Sequence, residues 1–135
     1  MNIVTVHPDR LDEYWQDMVS ILHPVFALEY QESTLDGVKN RLIQGEELAL
    51  VILDDNKMIG VCILGVSSYE SGGKALEVPY LAGTRMDDWL APGFEVVENI
   101  ARNMGCDRIR GGGRKGWLRL LPKFKPIRTI FEAKL

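Results

Sequence analysis

LALVILDDNKMIGVCILGV, residues 48–66, sets two runs of β-branched and aliphatic residues on either side of Asp54-Asp55-Asn56-Lys57. Acidic and amide residues suit tight turns, so the stretch reads as a β-hairpin with a connection of about four residues. Downstream, SYESGGK (68–74) supplies a second turn. A third strand follows over Ala75 to Leu81, and its Pro79 implies an edge, a bulge or a strand end. Trp89, Leu90, Phe94, Val97, Ile100, Ala101 and Met104 trace the apolar face of a long helix. Pro92 is expected to divide its first turn from its body, and Gly105 to end it. Asp107 to Gly111 reads as a short strand, Trp117 to Leu121 as the core of a short helix, and Ile127 to Ala133 as a closing strand.

Upstream of the hairpin, Ile3 to Val6 forms a short strand and Pro8 suits a first helical position. Leu11, Trp15, Met18, Val19 and Leu22 make one helical face, which Pro24 is expected to terminate. Ser33 with Asp36 resembles a capping box. Leu35, Val38, Leu42 and Ile43 then form the face of a second helix, with Gly45 as its stop. The order β-α-α-β-β-β-α-β-α-β describes one α/β (α+β) domain over residues 1–135, a sheet with helices on its faces.

The longest apolar run, Met58 to Val66, is far short of the ~20 residues a membrane span requires. MNIVTVHPDR has neither the basic start nor the apolar stretch of a signal peptide, and Cys62 and Cys106 lack a CxxC partner. These features lead us to expect a cytoplasmic protein with free thiols, no membrane partner and no metal site. Charge is unevenly spread. Residues 1–55 carry eleven acids and three bases, whereas residues 108–135 carry nine bases and one acid, Glu132. Either the basic end meets an anionic partner, or the two ends neutralise each other within the fold or across a homo-oligomer.

RIRGGGRKGWLRLL (108–121) contains the spacing GxGxxG at Gly111, Gly113 and Gly116. A dinucleotide fingerprint belongs in a first βαβ unit and needs an acid ~20 residues beyond it. Only nineteen residues remain here, and no GK[ST] occurs. The glycines therefore read as a tight turn. Arg114, Lys115 and Arg119 are candidate contacts for an anion or a partner. A nucleic-acid reading would use these three together with Arg108, Arg110, Lys123, Lys125 and Arg128. Only Trp117 and Phe124 interleave aromatic rings there, and the pI is about 5.4.

Ala82-Gly83, WLAP (89–92), NMGCDRI (103–109), RKGW (114–117) and FEAKL (131–135) occur in an order that resembles the GNAT-type N-acetyltransferase superfamily. The resemblance is strongest to small GNAT-like proteins of phages and prophages. It implies a mixed, mostly antiparallel sheet flanked by helices, with acetyl-CoA held between the fourth and fifth strands. On that basis Leu81, Ala82, Gly83, Thr84 and Arg85 would surround the phosphates and Glu77 would act as general base. The sequence departs from the superfamily's glycine-rich loop, because AGTRMDDW (82–89) has no second glycine. It places Asp87 and Asp88 at the helix start, where carboxylates oppose a bound anion. No tyrosine follows Tyr80 to protonate a departing thiolate. The leading expectation is therefore a catalytically degenerate phage-type protein, a virion or assembly component that binds phage structural or host proteins. The alternatives are a divergent acetyl-CoA-dependent N-acetyltransferase acting on an amine, and a nucleic-acid binder.

Overall fold

The structure is a computed structural model that describes residues 1–28, 32–113 and 116–135. Its elements are β1 (Asn2–Val6), α1 (Leu11–Phe26), α2 (Leu35–Ile43), β2 (Glu47–Asp54), β3 (Lys57–Ser68), β4 (Lys74–Gly83), α3 (Met86–Asn103), β5 (Arg108–Gly111) and α4 (Trp117–Leu120). Asp55 and Asn56 both adopt left-handed backbone, φ 49° and 64°, so two residues suffice to connect β2 to β3. Such a turn matches the natural twist of the strands it joins. The sheet runs β1-β2-β3-β4-β5, antiparallel throughout except for the parallel β4–β5 pair.

The two arms of the hairpin face helices on both sides. Ala49, Val51, Val61 and Ile63 join Tyr80 and Ala82 against Leu11, Met18 and Leu22 of α1 and Val38 and Leu42 of α2. Alternate residues Leu50, Cys62, Leu64 and Leu76 point the other way, onto Val97 and Ala101 of α3. A third cluster gathers Ile52, Ile59, Trp89 and Leu90. Burial pushes the Cys62 thiol up to about 12, so it is an inert core group.

Several local expectations are corrected. Pro24 lies inside α1 rather than ending it, since a proline this near the C-terminus costs one donor while Ala27 N–H still bonds the His23 carbonyl at 3.1 Å. The cap of α2 is Thr34, whose hydroxyl accepts from Gly37 N–H at 3.0 Å, and not Ser33. Ile43, placed on the buried face by spacing, is 48% exposed as the last residue of α2. Pro92 does not divide α3, which is continuous from Met86 and held by the buried Trp89, Leu90, Val97 and Ala101. Residues 127–133 form no strand. Phe124 instead packs on Phe94 (ring centroids 5.3 Å apart) and Lys123 reaches Glu98 (3.4 Å), anchoring the chain beside α3 rather than β5.

Candidate functional site

β4 and β5 run together for the four residues of β5, Ala75↔Arg108 to Val78↔Gly111, where β5 ends. Pro79 stands just beyond the last pair. It has no N–H to donate, and the β3–β4 register moves from Gly65↔Glu77 to Ile63↔Tyr80, leaving one extra residue on β4. β4 continues to Gly83 whereas β5 ends at Gly111, and this open end of the β4–β5 pair is the fork.

Glu77 stands at the foot of this fork, half-buried and in register with Arg110. The Tyr69 hydroxyl donates to Glu77 Oε1 at 2.7 Å and accepts from Arg110 Nη1 at 2.8 Å. The guanidinium groups of Arg108 and Arg110 also lie over the Tyr69 ring, 5.7 and 5.3 Å from its centroid. Next to Glu77 across the sheet is Gly65, where an added Cβ would find only Glu47 Cγ at 3.8 Å and Glu46 O at 4.0 Å. One flank of the carboxylate is thus clear of side chains from β3. A phenol aimed at a carboxylate and held by a guanidinium supplies a proton donor and a proton acceptor in one connected group.

Tyr69 was not singled out in the sequence. It belongs to the SYESGGK turn, and its closeness to Glu77 follows from the hairpin that turn closes. Arg110 arrives from a strand 33 residues beyond Glu77, a pairing that no local pattern reveals.

The β4–α3 loop is arranged differently. Leu81 is half-buried toward α3, and Ala82 is buried on the opposite face. Gly83 has φ 151°, and a Cβ there would come within 2.4 Å of Ile59 O and 3.1 Å of Trp89 Cζ2. Thr84 donates its N–H to Ile59 O at 2.9 Å, and its carbonyl accepts from Trp89 Nε1 at 2.7 Å. Arg85 begins α3 in left-handed backbone, with its guanidinium between Asp54 of the hairpin turn and Asp88 (3.0 Å). The hydrogen bond from Arg85 holds the Asp54 carboxyl below the usual carboxylate range, and Asp54 followed by Asp88 raises Arg85.

Arg119 is exposed on α4, a single short turn, while Arg114 and Lys115 lie outside the described residues. Two of the other cations of the basic end are matched by carboxylates, Arg108 by Asp107 (2.6 Å) and Lys123 by Glu98. The spacing GxGxxG has a packing component, since a Cβ at Gly113 would lie 2.9 Å from Trp117 Cδ1. Among the described residues there is no cluster of three potential metal ligands, and no helix is long and apolar enough to cross a membrane.

No protein-family model matches the sequence, and no curated protein does either. Solved structures do match. A probable acetyltransferase superimposes with a TM-score of 0.75 at 18% identity, over 100% of this chain and 97% of that one. A ribosomal-protein-alanine N-acetyltransferase from Brucella melitensis biovar Abortus 2308 gives 0.73 at 12% identity, with full coverage of both chains. An aminoglycoside acetyltransferase, meta-AAC0020, from an uncultured soil metagenomic sample, in complex with trehalose, gives 0.72 at 15% identity over 99% of this chain and 95% of that one. Nothing in these matches indicates a phage origin. The forked β4–β5 pair in a mostly antiparallel sheet, with helices on both faces, is the fold of the GNAT-type acetyltransferases.

Proposed function

We propose that the protein is a divergent N-acetyltransferase that moves an acetyl group from acetyl-CoA to an amine. The observation that carries this reading is the Tyr69–Glu77–Arg110 cluster at the foot of the β4–β5 fork. Beyond Val78 one edge of β4 has no strand of the described residues beside it, and the extended arm of the substrate acetyl-CoA would lie along that edge. The amine approaches over Gly65, where β3 offers no side chain. Glu77, directly or through one water, accepts its proton. The amine nitrogen then bonds to the thioester carbonyl carbon, whose oxygen is received by a backbone N–H of β4 beyond the fork. Rupture of the C–S bond releases CoA thiolate. Tyr69 supplies its proton, while Arg110 stabilises the phenol oxygen as that proton leaves. The phosphates lie toward Leu81–Arg85, and Arg85 becomes a phosphate ligand by exchanging Asp54 for the anion.

A second reading has one specific observation in its favour. Arg85 is already engaged by two carboxylates, and Thr84 has its N–H and carbonyl committed within the fold. A loop so satisfied suits a domain that keeps the architecture as a protein-interaction module without transfer. Calorimetric titration with acetyl-CoA separates the two. Saturable micromolar binding, followed by CoA release with primary amines that Glu77→Gln abolishes without weakening acetyl-CoA binding, is the transferase outcome. Absence of heat and of thermal stabilisation at millimolar acetyl-CoA would overturn it in favour of the interaction module.

A further inference from the structure

Leu48, Leu64, Leu76, Val78 and Ile109 pack toward α3. Their neighbours Glu47, Gly65, Glu77, Arg108 and Arg110 therefore belong to the other face of the sheet, that of α1 and α2. The register sets Glu47, Gly65, Glu77 and Arg110 side by side across four strands. The two ends of this row differ in charge. At one end Arg41 donates from Nε to Glu47 Oε1 at 2.8 Å, so the carboxylate is already matched. At the other, two guanidinium groups share the Tyr69 ring. Among the described residues Arg110 donates only from Nη1, to the neutral Tyr69 hydroxyl, and Arg108 only from Nε, to Asp107 at 2.6 Å. The turn also places Arg108, since a Cβ at Gly73 would lie 2.7 Å from its Nη2.

We propose that the acceptor is an α-amino acid whose carboxylate is received by Arg110 with Arg108 adjoining it, an inference that rests on the transferase reading above. Glu77 and Arg110 both bond the Tyr69 hydroxyl oxygen, at 2.7 and 2.8 Å, so a single atom separates base and guanidinium. That spacing suits an amine and a carboxylate carried on one carbon. The amine lies over Gly65 against Glu77, and the carboxylate takes the remaining N–H groups of Arg110, whose planar fork matches it. Charge favours this acceptor during the reaction. When Glu77 takes the amine proton it becomes neutral, and the cation in register with it loses a counter-charge that the substrate carboxylate then supplies. The contact thus strengthens as the reaction proceeds and is read in kcat/KM. A diamine would instead bring its second ammonium against two guanidinium groups. The products are the N-acetyl amino acid and CoA, with the amine proton on Glu77 and the Tyr69 proton on the CoA sulfur.

Initial rates of CoA release at fixed acetyl-CoA test this, with each standard α-amino acid paired against its own carboxamide and with putrescine as the diamine. The best amino acid should exceed its carboxamide by ~10-fold or more in kcat/KM, and exceed putrescine. The amine of a carboxamide is less basic and more often unprotonated, which alone favours the amide, so a preference for the acid reports the arginines. Arg108→Gln should shrink the ratio of acid to amide several-fold. Equal rates for acid and amide, a preference for putrescine, or a ratio that Arg108→Gln leaves untouched would overturn the inference while the transferase reading stands. Absence of CoA release with every amine would overturn both.

Discussion

Gly60→Ala should destabilise the domain by about 2–3 kcal/mol. An added Cβ would lie 2.6 Å from Trp89 Cζ2 and 3.0 Å from Cε2 and Cη2, whereas non-bonded carbons rest ~3.5–4.0 Å apart. Something must move by roughly 1 Å, and neither side yields readily. The indole is 1% exposed, tied through Nε1 to Thr84 O, and flanked by Gly83, where a Cβ would also meet it. Gly60 is itself fixed between Ile52 of β2 and Gly83 of β4. Overpacking of this kind costs ~1–3 kcal/mol, and shifting the indole forfeits a further ~0.5–1.5 for its hydrogen bond. Replacing a strand glycine with alanine returns ~0.5–1 kcal/mol, which sets the net figure. Gly65→Ala, on the same strand, meets nothing nearer than 3.8 Å and should be neutral or slightly stabilising. Urea unfolding resolves the pair as a lower midpoint for Gly60→Ala with an unchanged slope. Loss of less than ~0.5 kcal/mol in Gly60→Ala, or equal losses in both variants, would refute the wedged indole.

Trp117→Ala should cost only ~1–2 kcal/mol, below the ~3–5 of a fully buried ring, because Trp117 is half-buried at the edge of the Trp89 cluster; urea unfolding again reads the difference. Asp54→Asn should raise acetyl-CoA affinity several-fold and Arg85→Ala should lower it, both by calorimetry, if Arg85 receives the phosphates. Asp54 also has a pH signature. Its folded pKa lies below its unfolded one, so its contribution is complete above the unfolded value and is lost as pH falls through the folded value. Acid unfolding followed below about pH 4 should therefore be steeper in the parent than in Asp54→Asn. Tyr69→Phe should reduce kcat for acetyl transfer ~10²-fold or more with little change in acetyl-CoA affinity, as expected of a general acid.

Much of the architecture was legible because the hairpin, the two flanking helices and the long third helix each carry strong local patterns. Asp55-Asn56, Gly45 and Gly105 announced their turns and stops correctly, since left-handed backbone restricts which residues fit. Proline was the weaker guide. Pro24 and Pro92 both sit inside helices whose buried faces outweigh one missing donor, and tertiary packing of that kind has no signature in a window of ten residues. The closing strand failed for the opposite reason. Ile127 to Ala133 has the composition of a strand, but pairing depends on where Phe124 and the prolines deliver the chain. Glu77 was singled out only through the family resemblance. Tyr69 and Arg110 were not, because they meet it only through one turn and one parallel crossover.

Glycine carries a consistent lesson about reading sites from motifs. Gly83 sits where the resemblance expects a phosphate loop, and Gly113 sits inside a nucleotide-like spacing. In the folded chain a Cβ at either position would crowd a tryptophan, Trp89 in one case and Trp117 in the other. A glycine that clears room for an indole and a glycine that clears room for a phosphate are identical in sequence; only the neighbouring groups distinguish them. At the β4–α3 loop those groups are Thr84, whose N–H and carbonyl are both bonded within the fold, and Arg85, whose charge is shared by Asp54 and Asp88. Of these two, only Arg85 can be freed without breaking the Trp89 packing, since Asp54 and Asp88 are partly exposed and water can replace Arg85 on both. The binding question thus reduces to one ion-pair exchange at the surface. An anion with several negative oxygens competes well there, and a fold that otherwise commits the loop to its core can still present one cation to it.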